Sequence, residues 1–135
     1  MQYTVFRWID HGRTPEYRGL VRHQLPYESI YRHGFARLAV AVPELRVADV
    51  PFNVEATLRL ARRADGDDVA VVVFPELGIT AYSNDDLFQQ ESLLVAAREG
   101  LARIVEQSEE LRSLVIVGMP LRERDRLYNV AVVIH

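Results

Sequence analysis

The chain contains neither cysteine nor lysine. Without cysteine there is no disulfide, no thiolate metal site and no cysteine nucleophile within these 135 residues. Arginine supplies all 16 of the Lys+Arg cations. Histidine is scarce: His11, His23, His33 and His135 show no ligand spacing, so no metal site is expected. No apolar run reaches transmembrane length. The start, Met1 to Asp10, lacks a basic segment followed by a long apolar stretch. No membrane partner is expected, and a cytoplasmic setting is. Excess positive charge is missing too. The net charge is −3, with residues 34–135 holding eleven arginines against sixteen acids, so the main body is not built to neutralise phosphates and no nucleic-acid partner is expected. There is no GxSxG elbow, no GxGxxG loop, no Walker loop and no internal repeat.

What is present is a globular composition, 49% hydrophobic and 26% charged, of a length that suits one domain or part of one. Residues 1–33 carry scattered aromatics, Gly12, Pro15, Gly19 and Pro26 but no clear period, and read as an irregular N-terminal arm. Residues 34–135 read as an α/β unit of order β-α-β-α-β-β. A first strand spans Phe35 to Val42, with Leu38, Val40 and Val42 on one face and the small Ala39 and Ala41 on the other. Pro43 and Pro51 bracket a loop, and Asn53 reads as the N-cap of a helix to about Ala64 with a stripe of Val54, Leu58 and Ala61. Asp65 to Asp68 is a turn, and Val69 to Phe74 a buried strand. A helical stretch runs from Asp85 to about Leu111, with a break near Ser92. Leu114 to Gly118 is a third strand, Pro120 to Arg126 a charged connection, and Leu127 to Ile134 a fourth strand able to close an antiparallel hairpin.

The buried strand delivers one carboxylate, Glu76, to its C-terminal end, where ligands collect in open α/β sheets. Pro75 fixes φ and withholds an N–H, which can end the ladder and aim the next side chain out of the sheet. A carboxylate in such a place is often only a cap or an ion-pair partner. As a positioned general base it can contribute about 10²–10⁴ in rate. Tyr82, Tyr128 and Asn129 can line a substrate pocket; simple aromatic packing, with the amide satisfying loop backbone, is the alternative.

Three patches carry a resemblance: Tyr31 to Phe35, Phe74 to Phe88 around the acid, and Val117 to Leu121 with Leu127 to Ile134. Together they resemble the nitrilase, or carbon–nitrogen hydrolase, superfamily over roughly residues 27–135. The Tyr82 to Phe88 continuation is most similar to the glutamine-hydrolysing branch found in NAD synthetases. The resemblance implies part of a nitrilase-type α-β-β-α sandwich, with residues 34–135 as the N-terminal portion of a carbon–nitrogen hydrolase domain. It implies Glu76 as the general base that draws the proton from a cysteine thiol, with a lysine stabilising the oxyanion. Glutamine, or another small amide, is then the substrate. ATP belongs to the family's synthetase domain, and no cofactor is expected in this chain. Many members carry glycine where this chain has Ala81, so a positive φ there implies strain.

The lysine and cysteine of that chemistry are absent from this sequence. The chain therefore reads as an N-terminal fragment, inactive alone, that self-associates or pairs with the missing segments. The alternative is a non-catalytic, nitrilase-like binding or assembly module.

Overall fold

The computed structural model describes residues 26–135. The chain divides into two compact units at Ala36/Arg37. Most of the arm read from the sequence, residues 1–25, lies outside the described residues. Of the first unit, residues 26–36 contain a 3-10 turn, Ile30–His33, closed by Gly34 in the left-handed region at φ 83°. That glycine needs no special pleading, since left-handed backbone carries little penalty without a Cβ. Within this unit His33 Nε2 lies 2.7 Å from the Tyr27 carbonyl, and the Tyr27 and His33 rings meet edge to face.

The second unit is a four-stranded sheet with two helices, in the order the sequence suggested. The strands are β1 (Leu38–Val40), β2 (Val71–Val73), β3 (Leu114–Glu123) and β4 (Arg126–Ile134). They lie side by side in chain order. β1 to β3 are parallel, with Val40 opposite Val73 and Val73 opposite Ile116. β4 returns antiparallel to β3, with Gly118 opposite Ala131 and Pro120 opposite Asn129. Helices α1 (Val50–Gly66) and α2 (Glu91–Gln107) form the connections. Long connections are what parallel neighbours require, and a tight turn is what an antiparallel pair allows.

Both helices pack against one face of the sheet. Strand alternation sends Val72, Val115, Val117, Met119 and Ile134 to that face, where they are buried with Val54, Leu58, Ala61, Ala97 and Ile104. The small residues Ala39 and Ala41 join this cluster from the first strand. The opposite face carries Leu38, Val40, Val73 and Val133, all exposed. Among the described residues no helix covers these four side chains.

Several boundaries differ from the sequence reading, each for a physical reason. The first and second strands are shorter than expected, at three residues each. Val69 N–H instead closes the end of α1 on the Ala64 carbonyl. α1 starts at Val50 and not after Asn53; Asp49 is its cap, its carboxylate accepting from Phe52 N–H at 3.2 Å. Pro51 thus sits in the first turn, where a missing N–H costs nothing. Asn53 is fully buried and serves as a clamp: it accepts from Arg46 N–H and donates to the carbonyls of Arg46 and Ile79. α1 also runs on through Asp65 and Gly66. Asp65 accepts from the Arg112 and Ser113 backbone N–H groups, tying the helix end to the start of β3.

The second helical stretch is two pieces, a 3-10 turn at Asp85–Gln89 and then α2, parted at Gln90, whose ψ is 125°. The break falls two residues before Ser92, and α2 stops at Gln107 rather than near Leu111. The expected charged connection Pro120 to Arg126 is mostly strand. Pro120 is tolerated inside β3 because β2 stops pairing at Ile116, which leaves that stretch a single strand neighbour. Only Arg124 and Asp125 turn, both at positive φ, as two-residue hairpins require. No helix of the described residues is long and apolar enough to cross a membrane.

Candidate active site

Beyond Val73 the chain leaves β2 with one more sheet bond, Phe74 N–H to the Ile116 carbonyl, and then rises off the sheet at Pro75. It rejoins at Ile79, whose N–H bonds to the Gly118 carbonyl. Between these points residues 75–78 form a tight turn closed by Gly78 N–H on the Pro75 carbonyl. Glu76 stands on this turn, exposed, while Leu77, Gly78, Ile79, Thr80 and Ala81 are buried.

Two features hold the turn where it is. The first is the absence of a side chain at Gly118. A Cβ there would lie 2.6 Å from Leu77 N, 2.7 Å from the Pro75 carbonyl oxygen and 2.9 Å from Glu76 Cα. The acid-bearing turn therefore rests directly on the β3 backbone, an approach only glycine permits. The second is a set of buried amides behind the loop. Asn53 donates to the Ile79 carbonyl, and Asn84 donates to the carbonyls of Thr80 and Ala81.

The loop is strained. Leu77 has φ 54° and Ala81 φ 65°, both left-handed without being glycine. Such residues cost of order 1–2 kcal/mol each and collect at functional sites. The strain expected at Ala81 is thus present.

Glu76 makes one side-chain hydrogen bond among the described residues. Asn129 on β4 donates to it from Nδ2 to Oε1. No arginine pairs with Glu76 among these residues. The carboxylate is therefore neither neutralised nor used as a helix cap. Beside the pair lies a small cavity of about 190 Å³, lined by Leu77, Phe88, Pro120, Leu127, Tyr128 and Asn129. A larger hollow of about 540 Å³ lies at the hairpin tip between Glu123, Arg124, Arg126 and Tyr128. It touches neither Glu76 nor its partner, so the smaller one is the relevant space.

Of the residues singled out from the sequence, the fold brings Glu76 and Asn129 into contact and puts Tyr128 in the wall of the adjoining cavity. Tyr82 is 65% exposed and lines neither cavity. Sequence reasoning missed Gly118, Asn53 and Asn84 as supports of the acid loop. A glycine in a strand pattern is a known signal of close backbone approach, so Gly118 was open to detection. The two asparagines gave no local sign of their partners.

Comparison with known proteins bears on the family and the fold. Residues 37–135 match the family model for carbon-nitrogen hydrolase. The chain is similar to the glutamine-dependent NAD(+) synthetase of Mycobacterium tuberculosis, 41% identical over 109 residues, covering 81% of this chain and 16% of that protein. The synthetase of Aquifex aeolicus is 31% identical over 98 residues, covering 73% of this chain and 17% of the other. The chain thus spans about a sixth of the length of these curated relatives. Among solved structures, the glutamine-dependent NAD(+) synthetase of Cytophaga hutchinsonii superposes with a TM-score of 0.69 at 26% identity, over 73% of this chain and 17% of that one. An amidase from Nesterenkonia superposes at 0.59 and 19% identity, over 73% of this chain and 39% of that one, a likeness of fold. With 99 consecutive residues under the family model and the same fold in solved members, the chain belongs to the carbon-nitrogen hydrolase family.

Proposed function

We propose that residues 34–135 are the N-terminal portion of a glutamine amide-hydrolysing domain of the NAD-synthetase type, and that Glu76 is its general base. The observation that carries this is the state of Glu76: an exposed carboxylate with no arginine partner among the described residues, raised on a strained turn at the end of a parallel strand, its amide partner Asn129 lining a cavity. A merely structural acid would be capped or ion-paired. In the reaction Glu76 takes the proton of a cysteine thiol, and the thiolate attacks the amide carbon. A lysine steadies the oxyanion, Glu76 hands the proton to the leaving nitrogen, ammonia departs, and water resolves the thioester. Neither the cysteine nor the lysine is among these 135 residues, so both come from residues outside this sequence. Tyr128, and with less support from its position Tyr82, are the proposed substrate contacts. ATP is used elsewhere, in the synthetase domain of such proteins.

The open sheet face, with Leu38, Val40 and Val133 exposed, is where segments carrying the lysine and cysteine would pack. Without them the chain is expected to self-associate. The test is ammonia release from glutamine. The purified chain is expected to release none. Mixed with a polypeptide that supplies the rest of the hydrolase domain, it is expected to gain activity, and Glu76→Ala to abolish it. Ammonia from the chain alone would overturn the reading. The same open apolar face favours a second reading, a non-catalytic assembly module. It predicts a stable complex with no ammonia released in any mixture.

A further inference from the structure

We infer that Asn129 is the positioning residue for Glu76: it holds Oε1 and thereby assigns proton transfer to Oε2. This rests on the reading of Glu76 as a base. Asn129 lies in a β4 row whose members on the same face are Leu127, Ala131 and Val133. Asparagine is among the residues depleted in strands, and here it interrupts an apolar row. A residue that breaks the local rule is expected where function requires it. The packing gives no other reason for the amide, since it is exposed and its cross-strand partner is Pro120, which cannot donate. Among the described residues its one side-chain hydrogen-bond partner is Glu76, 53 positions away in sequence.

The geometry around the pair has a consistent logic. Gly118 leaves room for the turn at 75–77 to sit directly on β3, and its cross-strand neighbour is the small Ala131. Asn129 follows on the same face of β4, two residues from Ala131. The hairpin thus fixes the backbone of the acid from below and its side chain from one flank. With Oε1 engaged, Oε2 has no partner among the described residues and is the oxygen left to take the proton. A fixed carboxylate lowers the cost of reaching a near-attack arrangement; small misplacements of a catalytic group can cost about a hundredfold in rate.

The pairing is tested on the full 135-residue chain by the side-chain amide resonances of Asn129. They are expected to move on Glu76→Ala, through loss of a hydrogen bond to a charged acceptor. Unmoved resonances would overturn the inference whatever the activity. The functional half is tested by ammonia release from glutamine, with the rest of the hydrolase domain supplied in trans. Asn129→Ala is expected to lower kcat about ten- to a hundredfold with KM unchanged. Asn129→Asp keeps the shape but turns the donor into a second carboxylate, and is expected to lose at least as much. A purely space-filling residue would tolerate that change, so full kcat in Asn129→Asp would overturn the inference. Full activity in Glu76→Ala would instead overturn the underlying assignment of the base, a result that cannot be confused with the other two.

Discussion

One sheet here has two faces of nearly the same chemistry and opposite fates. On the helix side, Val72, Val115, Val117 and Met119 are almost wholly buried. On the other side, Leu38 is 70% and Val40 81% exposed. The strands alternate, so consecutive valines of one strand experience both environments. What separates the faces is the presence of α1 and α2 on one of them, and only there does burial contribute stability. The turn bearing Glu76, Gly118 and Asn129 belong to the other face. The fold thus divides its labour: the helix side holds the unit together, and the open side holds the candidate chemistry.

The largest effect that could break this comparison is a cavity. Leu58 on α1 is fully buried in the helix-side cluster. Leu58→Ala is expected to cost about 2–5 kcal/mol, from lost transfer energy plus the void left behind. Val40→Ala on the open side is expected to stay within about 0.5 kcal/mol. Urea denaturation of both variants measures the contrast. Equal losses would mean that the open face is covered in solution.

Next comes Gly118→Ala. The added methyl meets backbone atoms of Pro75, Glu76 and Leu77, none of which can swing aside as a side chain would. Overpacking of this kind costs about 1–3 kcal/mol. The distinctive outcome is local: amide resonances of residues 75–79 are expected to shift while those of α1 and α2 stay put. A variant as stable as the parent, with an unmoved loop, would show that the turn does not rest on β3.

A smaller effect, of opposite sign, is expected at Ala81. Its φ of 65° is a left-handed conformation that glycine adopts freely. Ala81→Gly relieves that strain and loses little packing, so it is expected to stabilise the chain by about 0.5–1 kcal/mol. A lower unfolding midpoint would show that the loop is held by contacts of the methyl group instead.

The two faces were legible in the sequence to different depths. The alternation of Leu38, Ala39, Val40, Ala41 and Val42 showed that small residues line one side, and the structure puts the helices there. The order of elements and the antiparallel final pair were legible as well, because period and turn residues are local signals. Asn53 was misread for the same reason: local capping rules see a polar residue before an apolar stripe, whereas its true partner at Ile79 is 26 residues on. Pro120 looked like a boundary because the sequence cannot show that β2 has already ended beside it. The carboxylate was legible through its strand and its proline. Its support by Gly118 and Asn129 was not, since both contacts form only when the β3–β4 hairpin meets the loop after β2.

The finest test of the comparison asks for a change in association with none in fold. Val40 and Val133 are exposed on the open face, at 81% and 52%. Threonine has almost the same shape and is well suited to strands, so the double change Val40→Thr and Val133→Thr is expected to alter unfolding free energy by less than about 0.5 kcal/mol. It does remove apolar area from a contiguous patch that water now meets, and such patches drive association. Sedimentation velocity across a concentration series is expected to show weaker self-association in the double variant than in the parent. The matching change on the helix side, Val72→Thr and Val115→Thr, buries two hydroxyls among aliphatic side chains and is expected to cost about 1–3 kcal/mol per unsatisfied group. If the two pairs behaved alike, the distinction between a face that holds the fold and a face left open to solvent would collapse.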